Sequence, residues 1–507
     1  MMQLTAWAVL LPLIAGFVLL FARMGGLRLQ RSLNLLVVLG LVFMSIEMVK
    51  VSVTGVHQVY LAGNWIAPFG IVFVLDQLSA LMVLITSLLA LAALWYATAA
   101  QYDRQGSHFH VLFQLQLFGL NGAFLTGDVF NLFVFFEVLL LASYGLLLHG
   151  GGRLRTKAGL HYVVINLIGS TLFLFAVGAL YGAVGTLNIA DMAAKISVAP
   201  AEDLGLIAAA GLLLLVVFGV KAAMFPLYLW MPNAYAQTSA PVAALFAIMT
   251  KVGIYSIIRV HGTIFGEQAG DLANFYTPWV LSLGLVTLLL AAFGVMAARG
   301  LREQVAYLVL ASVATLLIGV GLNSPEALTA TLYYLIHSTL IAGGMFLLAD
   351  VIARGRGVAE DRFKSAPIMP NAILIGSVFM FGAIAMTGMP PLSGFFGKVL
   401  ILSAALENTW FFAILATVLI ASLLMIIAMA RAGSLLFYRT QPVEVLPGEP
   451  LNRASFSAVI GLLAISPILV IFANPITAYT EMVSTQVFDN ATYIEAVLSI
   501  PATQRVE

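Results

Sequence analysis

Apolar and polar positions along this chain alternate on one length scale. Runs of about 20 mostly apolar residues are long enough to cross a hydrocarbon core. They predict membrane helices at 4–22, 31–50, 71–100, 109–126, 129–148, 158–183, 204–237, 240–260, 277–298, 302–322, 327–349, 366–406, 411–437 and 454–474. The expected fold is all-α, a polytopic membrane protein of about 14 transmembrane helices. Two runs, 204–237 and 366–406, are too long for one straight span. Pro226 falls in the first, with Pro232 and Pro241 bounding the polar run that follows, and Pro390 and Pro391 fall in the second. Proline removes a helix hydrogen bond and clashes with the preceding turn, so both runs are expected to be broken helices. The start, MMQLTAWAVLLPLIAGFVLLF, lacks a basic flank and reads as a retained first span. The tail after Asn474 contains TEMVSTQVFDNATYIEAVL, an amphipathic pattern suited to lying along the outer surface.

Composition sharpens this. Hydrophobic residues make up 62% of the 507 and charged residues 9%, against about 25% charged in a soluble domain. The net charge of +1 offers nothing to nucleic acid. The absence of cysteine removes disulfides, thiolate metal sites and cysteine nucleophiles. The loops after odd-numbered spans carry Arg23, Arg28, Arg31, Arg104, Arg153, Arg155, Lys157, Arg299, Arg302, Arg354, Arg356, Arg362, Lys364, Arg431, Arg439 and Arg453. The opposite loops hold Lys50, Lys195, Arg259 and Arg505 among Asp191, Glu202, Asp203, Glu267 and Asp271. The positive-inside rule then places both termini on the non-cytoplasmic side of the cell (inner, plasma) membrane.

The three basic residues left over, Lys221, Lys251 and Lys398, lie inside spans. A charge at that depth costs roughly 2.5–3.5 kcal/mol on insertion scales and usually marks an ion or proton route. The first broken helix is expected to run inward and the second outward. Five spans separate them, which suggests two inverted repeats, 109–260 (helices 4–8) and 277–437 (helices 9–13). Helices 1–3 (1–100) flank the first, and helix 14 (454–474) and the tail (475–507) follow the second, within a single membrane domain over 1–507. Glu137 stands mid-span in GDVFNLFVFFEVLLLASYGL, and His337 mid-span in LIHSTLIAGG. A histidine can carry a proton near neutral pH. Asp76, Asp128 and Glu47 sit near helix ends and are expected at the interface, as are His149 and His161.

Each signal has a plainer reading. Lys221 and Glu137 could form a purely structural ion pair, the lysines could snorkel, His337 could be a satisfied core histidine, and Pro390–Pro391 an ordinary kink. HGGG at 149–152 resembles a lipase oxyanion motif, but no G-x-S-x-G elbow accompanies it, and it reads as a flexible loop. No metal-ligand cluster, phosphate-cradling glycine loop or nucleophile triad is present, so no cofactor and no enzyme chemistry are expected. Buried lysines, a carboxylate and a histidine are the inventory of a proton wire.

GDVFNLFVFFEVLLLASYGL with Glu137, KAAMFPLYLWMPNAYAQTSAPVAALFAIMTKVGIY with Lys221 and Lys251, and MPPLSGFFGK with Lys398 resemble the antiporter-like subunit superfamily. That superfamily joins the Mrp (Pha) cation/proton antiporters to the proton-pumping subunits of NADH–quinone oxidoreductase. The resemblance covers nearly the whole chain and looks most like the D-type subunit of the Mrp antiporters. It implies a hydrophilic axis at mid-membrane, with Glu137, Lys221, Lys251 and Lys398 as relay residues and His337 beside them. It also implies export of Na⁺ or K⁺ in exchange for H⁺, within a hetero-oligomeric complex of membrane subunits. A proton-pumping subunit of a respiratory complex is the alternative within the class, and a structural membrane scaffold the alternative outside it. Two positions depart from the family pattern: Ile341 stands where many relatives carry lysine, and Tyr228 and Tyr235 where respiratory relatives often carry histidine.

Overall fold

In the computed structural model, which describes residues 2–439 and 448–499, helices follow one another with little else between them. α1 (Met2–Ala22) and α2 (Leu27–Ser52) lead to a hairpin of β1 (Gln58–Leu61) and β2 (Val72–Leu75), paired antiparallel with Gln58 opposite Leu75. Residues 71–76, expected to begin the third helix, therefore form a strand and its exit. VFVL is β-branched and aromatic, which suits a half-buried strand, and an apolar run this short reads equally as either element. α3 (Gln77–Ala99) begins only after Asp76. The Asp76 carboxylate accepts from the Ser79 amide at 2.8 Å while Ser79 Oγ accepts from the Asp76 amide at 2.9 Å, a reciprocal cap that starts the helix.

α4 (Phe109–Leu125), α5 (Val129–Leu148) and α6 (Arg153–Val184) come next, then the short α7 (Ile189–Ile196). α8 (Leu204–Lys221) stops at its lysine, and after an irregular stretch α9 (Trp230–Gln237) resumes the run. The eighth span is assembled from α10 (Ala240–Phe246), α11 (Met249–Ser256), a π turn at Ile257–His261 and α12 (Gly262–Ile264). α13 (Thr277–Ala297), α14 (Leu301–Gly321) and α15 (Pro325–Gly355) are long and unbroken. α16 (Ala372–Thr387) and α17 (Ser393–Ala404) are the two halves of the second broken run, whose expected first residues, 366–371, are not helical. α18 (Phe411–Gly433) is followed by the last span, α19 (Arg453–Leu463) and α20 (Ile465–Ile471). The tail forms α21 (Ala473–Phe488) and α22 (Asn490–Leu498). Arg505 lies outside the described residues.

Twelve of these segments are long and apolar enough to cross a membrane. The shorter α4 and the α16–α17 pair bring the sequence-derived spans to their full number. The eighth span, α14 and α15 are almost entirely surrounded by protein, whereas α2 and α18 face mostly outward. The loops gather at two ends. At one, the hairpin meets the 126–128 link and α7: Phe73 bridges Thr126, Asp128 bridges Asn188, and α22 lies against α7 and β1. At the other, Arg31 binds Asp103, Arg155 donates to the Gln237 carbonyl at 3.0 Å, and Arg354 reaches Glu449 at 3.3 Å. The arginine-rich loops grouped by charge alternation thus share one end.

Candidate functional site

Both breaks leave backbone groups without helical partners, and side chains supply replacements, as a water-poor interior requires. At the first break the Trp230 indole donates to the Val220 carbonyl at 3.1 Å, and the Phe225 amide donates to Thr287 Oγ1 at 2.9 Å. At the second, Lys398 Nζ donates to the Thr387 carbonyl at 2.7 Å and to Ser422 Oγ at 3.0 Å. Thr387 is the last residue of α16, so the Lys398 ammonium sits at the negative end of that half-helix dipole. Pro226 and Pro390–Pro391 mark the two interruptions, as expected from the sequence.

Around the first break three helices place the charged groups. α5 supplies Glu137, α8 ends in Lys221, and α6 packs against both. Ser170 Oγ of α6 donates to Glu137, and Lys221 Nζ donates to Asn166 Oδ1 of α6 at 3.1 Å. The Phe136 ring lies 5.6 Å from the same ammonium. Glu137 and Lys221 do not touch, so the direct ion pair that sequence suggested is open in this structure. The reason is that α6 offers a neutral partner to each, from positions one turn apart on the same face. A cavity of about 10 Å³ borders Lys221, Asn166, Tyr162, Met249 and Val252. That is close to the minimum for one water, and it reaches α11, which carries Lys251.

Lys251 is completely buried, and its Nζ has no hydrogen-bond partner among the described residues. An unpaired ammonium in hydrocarbon is very costly, so a charged Lys251 requires water or a rearranged neighbour. It does not snorkel. His337, on α15, is also buried, with Nδ1 2.7 Å from Ser393 Oγ at the start of α17, and Ser393 Oγ lies 2.8 Å from Ser466 Oγ. Gly394 admits the ring: a Cβ there would sit 2.7 Å from His337 Nε2. His337 and Lys398 therefore flank the second break as Lys221 flanks the first. Ile341, one turn after His337, is buried and apolar, and the Tyr235 hydroxyl donates to the Phe246 carbonyl at 2.7 Å.

Several polar groups sit elsewhere than sequence placed them. Asp76 is 1% exposed and is bound by the Arg259 guanidinium, itself buried within the π turn and not in an outer loop. Asp128 is buried as the cap of α5, where burial pushes its carboxyl up to about 6. His149 is buried against the Tyr102 carbonyl at 3.0 Å. Glu47 is half-buried and paired with Lys50, and His161 is exposed. Sequence reasoning also passed over Asp350, which accepts from the Tyr96 and Tyr102 hydroxyls and pairs with Arg354 at 2.9 Å. The D-x-x-S cap at 76–79 was a readable signal for Asp76. Asp350, in an apolar run near arginines, offered none.

Two broken helices, each with a lysine at the break and a carboxylate or histidine on a neighbouring helix, define a class of ion-translocating membrane protein. Residues 126–425 match the model of the NADH:quinone oxidoreductase/Mrp antiporter transmembrane family, and the chain belongs to that family. It is 38% identical to the D-type subunit of a probable K(+)/H(+) antiporter from Rhizobium meliloti (strain 1021), over 97% of both chains. It is 35% identical to the D-type subunit of the Na(+)/H(+) antiporter from Alkalihalophilus pseudofirmus, over 98% of this chain and 100% of that one. Its fold matches a chain of the Mrp complex from Dietzia sp. DQ12-45-1b with a TM-score of 0.85 at 27% identity, covering 98% and 99% of the two chains.

Proposed function

We propose that this chain is the proton-translocating membrane subunit of a multisubunit monovalent cation/proton antiporter, part of a secondary transporter and not an enzyme, which exchanges Na⁺ or K⁺ for H⁺. The arrangement of Glu137, Ser170, Asn166 and Lys221 carries this reading. An ammonium facing a carboxylate is held charged, whereas facing a neutral amide in a low-dielectric interior it loses that support. Moving Lys221 between Asn166 and Glu137 therefore alternates between holding a proton and passing it on. The onward direction runs across the cavity toward Lys251 and then to His337 and Lys398 at the second break. The matched lysine-bearing breaks support the inverted repeats 109–260 and 277–437 within one membrane domain. The end rich in arginine is the cytoplasmic one, which puts both termini on the other side of the plasma membrane.

The test is cation/proton exchange by the whole complex in vesicles, with Na⁺ and K⁺ compared. Glu137→Gln and Lys221→Ala should each abolish exchange in complexes that still assemble. Wild-type exchange by an assembled Glu137→Gln complex would refute the relay, and failed assembly in both would favour the scaffold role.

A further inference from the structure

At the hairpin end, away from both broken helices, lies a cavity of about 610 Å³ bordered by His57, Gln77, Glu481, Gln486, Asp489 and Thr492. Its rim carries the carboxylates of Glu481 and Asp489. Two side chains more than nine-tenths buried border it with unpartnered atoms, His57 through Nδ1 and Gln77 through Oε1. In an interior where buried polar groups are almost always paired, two such atoms on one cavity wall point to water as their partner.

Behind this wall sits the buried charge pair. Asp76 immediately precedes Gln77 and is bound by Arg259. The Tyr493 ring links the two layers: His57 stands edge-on to it with centroids 5.6 Å apart, and the Arg259 guanidinium lies 5.2 Å from its centroid. The cavity is held open by the tail. Gln486 accepts from the Gln77 amide at 2.9 Å and donates to the Gly55 carbonyl at 2.9 Å, and the Tyr479 hydroxyl donates to the Gln77 carbonyl at 3.1 Å.

We infer that this cavity is the proton port of the hairpin end, in which His57 exchanges protons with water in front of the Asp76–Arg259 pair. The inference rests on the proton-translocating function proposed above and adds where protons cross the surface on this side. The charged groups around His57 are Asp76 before α3, Arg259 in the π turn, Glu481 on α21 and Asp489 before α22, with the neutral, titratable phenol of Tyr493 on α22 beside them. Burial holds the His57 imidazole below its ordinary value, Asp76 and Asp489 pull it up, and Arg259 pushes it down.

The test uses the complete complex in vesicles of known orientation. His57→Phe keeps the edge-on packing against Tyr493 but cannot carry a proton. It should assemble, exchange several-fold more slowly, and lose the acidic limb of the dependence on pH at the hairpin side. His57→Gln should behave alike. The chain has no cysteine, so a thiol introduced by His57→Cys can be challenged with a membrane-impermeant maleimide in a complex whose other subunits lack reactive thiols. Labelling from the hairpin side only is expected. A wild-type rate and pH profile for His57→Phe, or a thiol that stays unlabelled from that side, would overturn the port. Absence of exchange from the wild-type complex would instead overturn the proposed function, and the port with it.

Discussion

Neutralising Asp76 isolates the energy of one buried charge. Asp76→Asn removes the partner of Arg259, which is only 6% exposed, yet retains the helix cap, because an asparagine oxygen still accepts from the Ser79 amide. The loss is therefore electrostatic. Breaking a buried pair by removing one member costs about 3–5 kcal/mol. Arg259 keeps some support from the Tyr493 and Tyr255 rings, at 5.2 and 5.8 Å, and such contacts contribute about 0.5–2 kcal/mol each. The expected cost thus lies at the lower end, about 3 kcal/mol. Removing both charges, Asp76→Asn with Arg259→Met, should return most of it, since a neutral apolar replacement of a buried pair is often neutral in stability. Asp76→Ala should cost about 1 kcal/mol more than Asp76→Asn, because the cap goes too. The assay is the midpoint of heat-induced loss of the monodisperse complex in detergent, for all variants side by side. A single Asp76→Asn variant as stable as wild type, or a double variant no better than the single one, would refute the reasoning.

Gly253 faces the end of α8, where a Cβ would lie 2.5 Å from the Ala222 amide nitrogen and 2.8 Å from the Phe218 carbonyl. Gly253→Ala should cost about 1–3 kcal/mol in overpacking and, by shifting Lys221, slow exchange, read by thermal midpoint and vesicle assay together. At the arginine-rich end, burial would raise the Asp103 carboxyl, but hydrogen bonds from His110 and Arg31 outweigh it and hold the group below its ordinary value. A depressed carboxylate contributes stability present above its unfolded value, about 3.9, and lost as pH falls through the folded value. Asp103→Asn should therefore destabilise the complex at neutral pH and flatten the loss of stability below about pH 4; a variant with the wild-type acid profile would contradict this.

The spans and both breaks were legible because a bilayer imposes one length and proline interrupts it. Lys221, Lys251 and Lys398 were legible for the same reason, as charges where none is cheap. The hairpin strand was not, since VFVL carries no mark separating strand from helix start. Arg259 was misplaced because its burial depends on Asp76, 183 residues earlier in the chain. Asn166 and Ser170 are unremarkable neutral residues in sequence, and only packing shows that one faces a lysine and the other a glutamate.

The spacing of those two residues has a mechanical consequence. Four residues along a helix advance about 6 Å and overshoot a full turn by about 40°, so Asn166 and Ser170 are two cams on one shaft. Any twist or slide of α6 that withdraws the amide from Lys221 displaces the hydroxyl from Glu137 in the same stroke. The two charges are thereby timed by a rigid rod, and a push on either end of α6 reaches both at once.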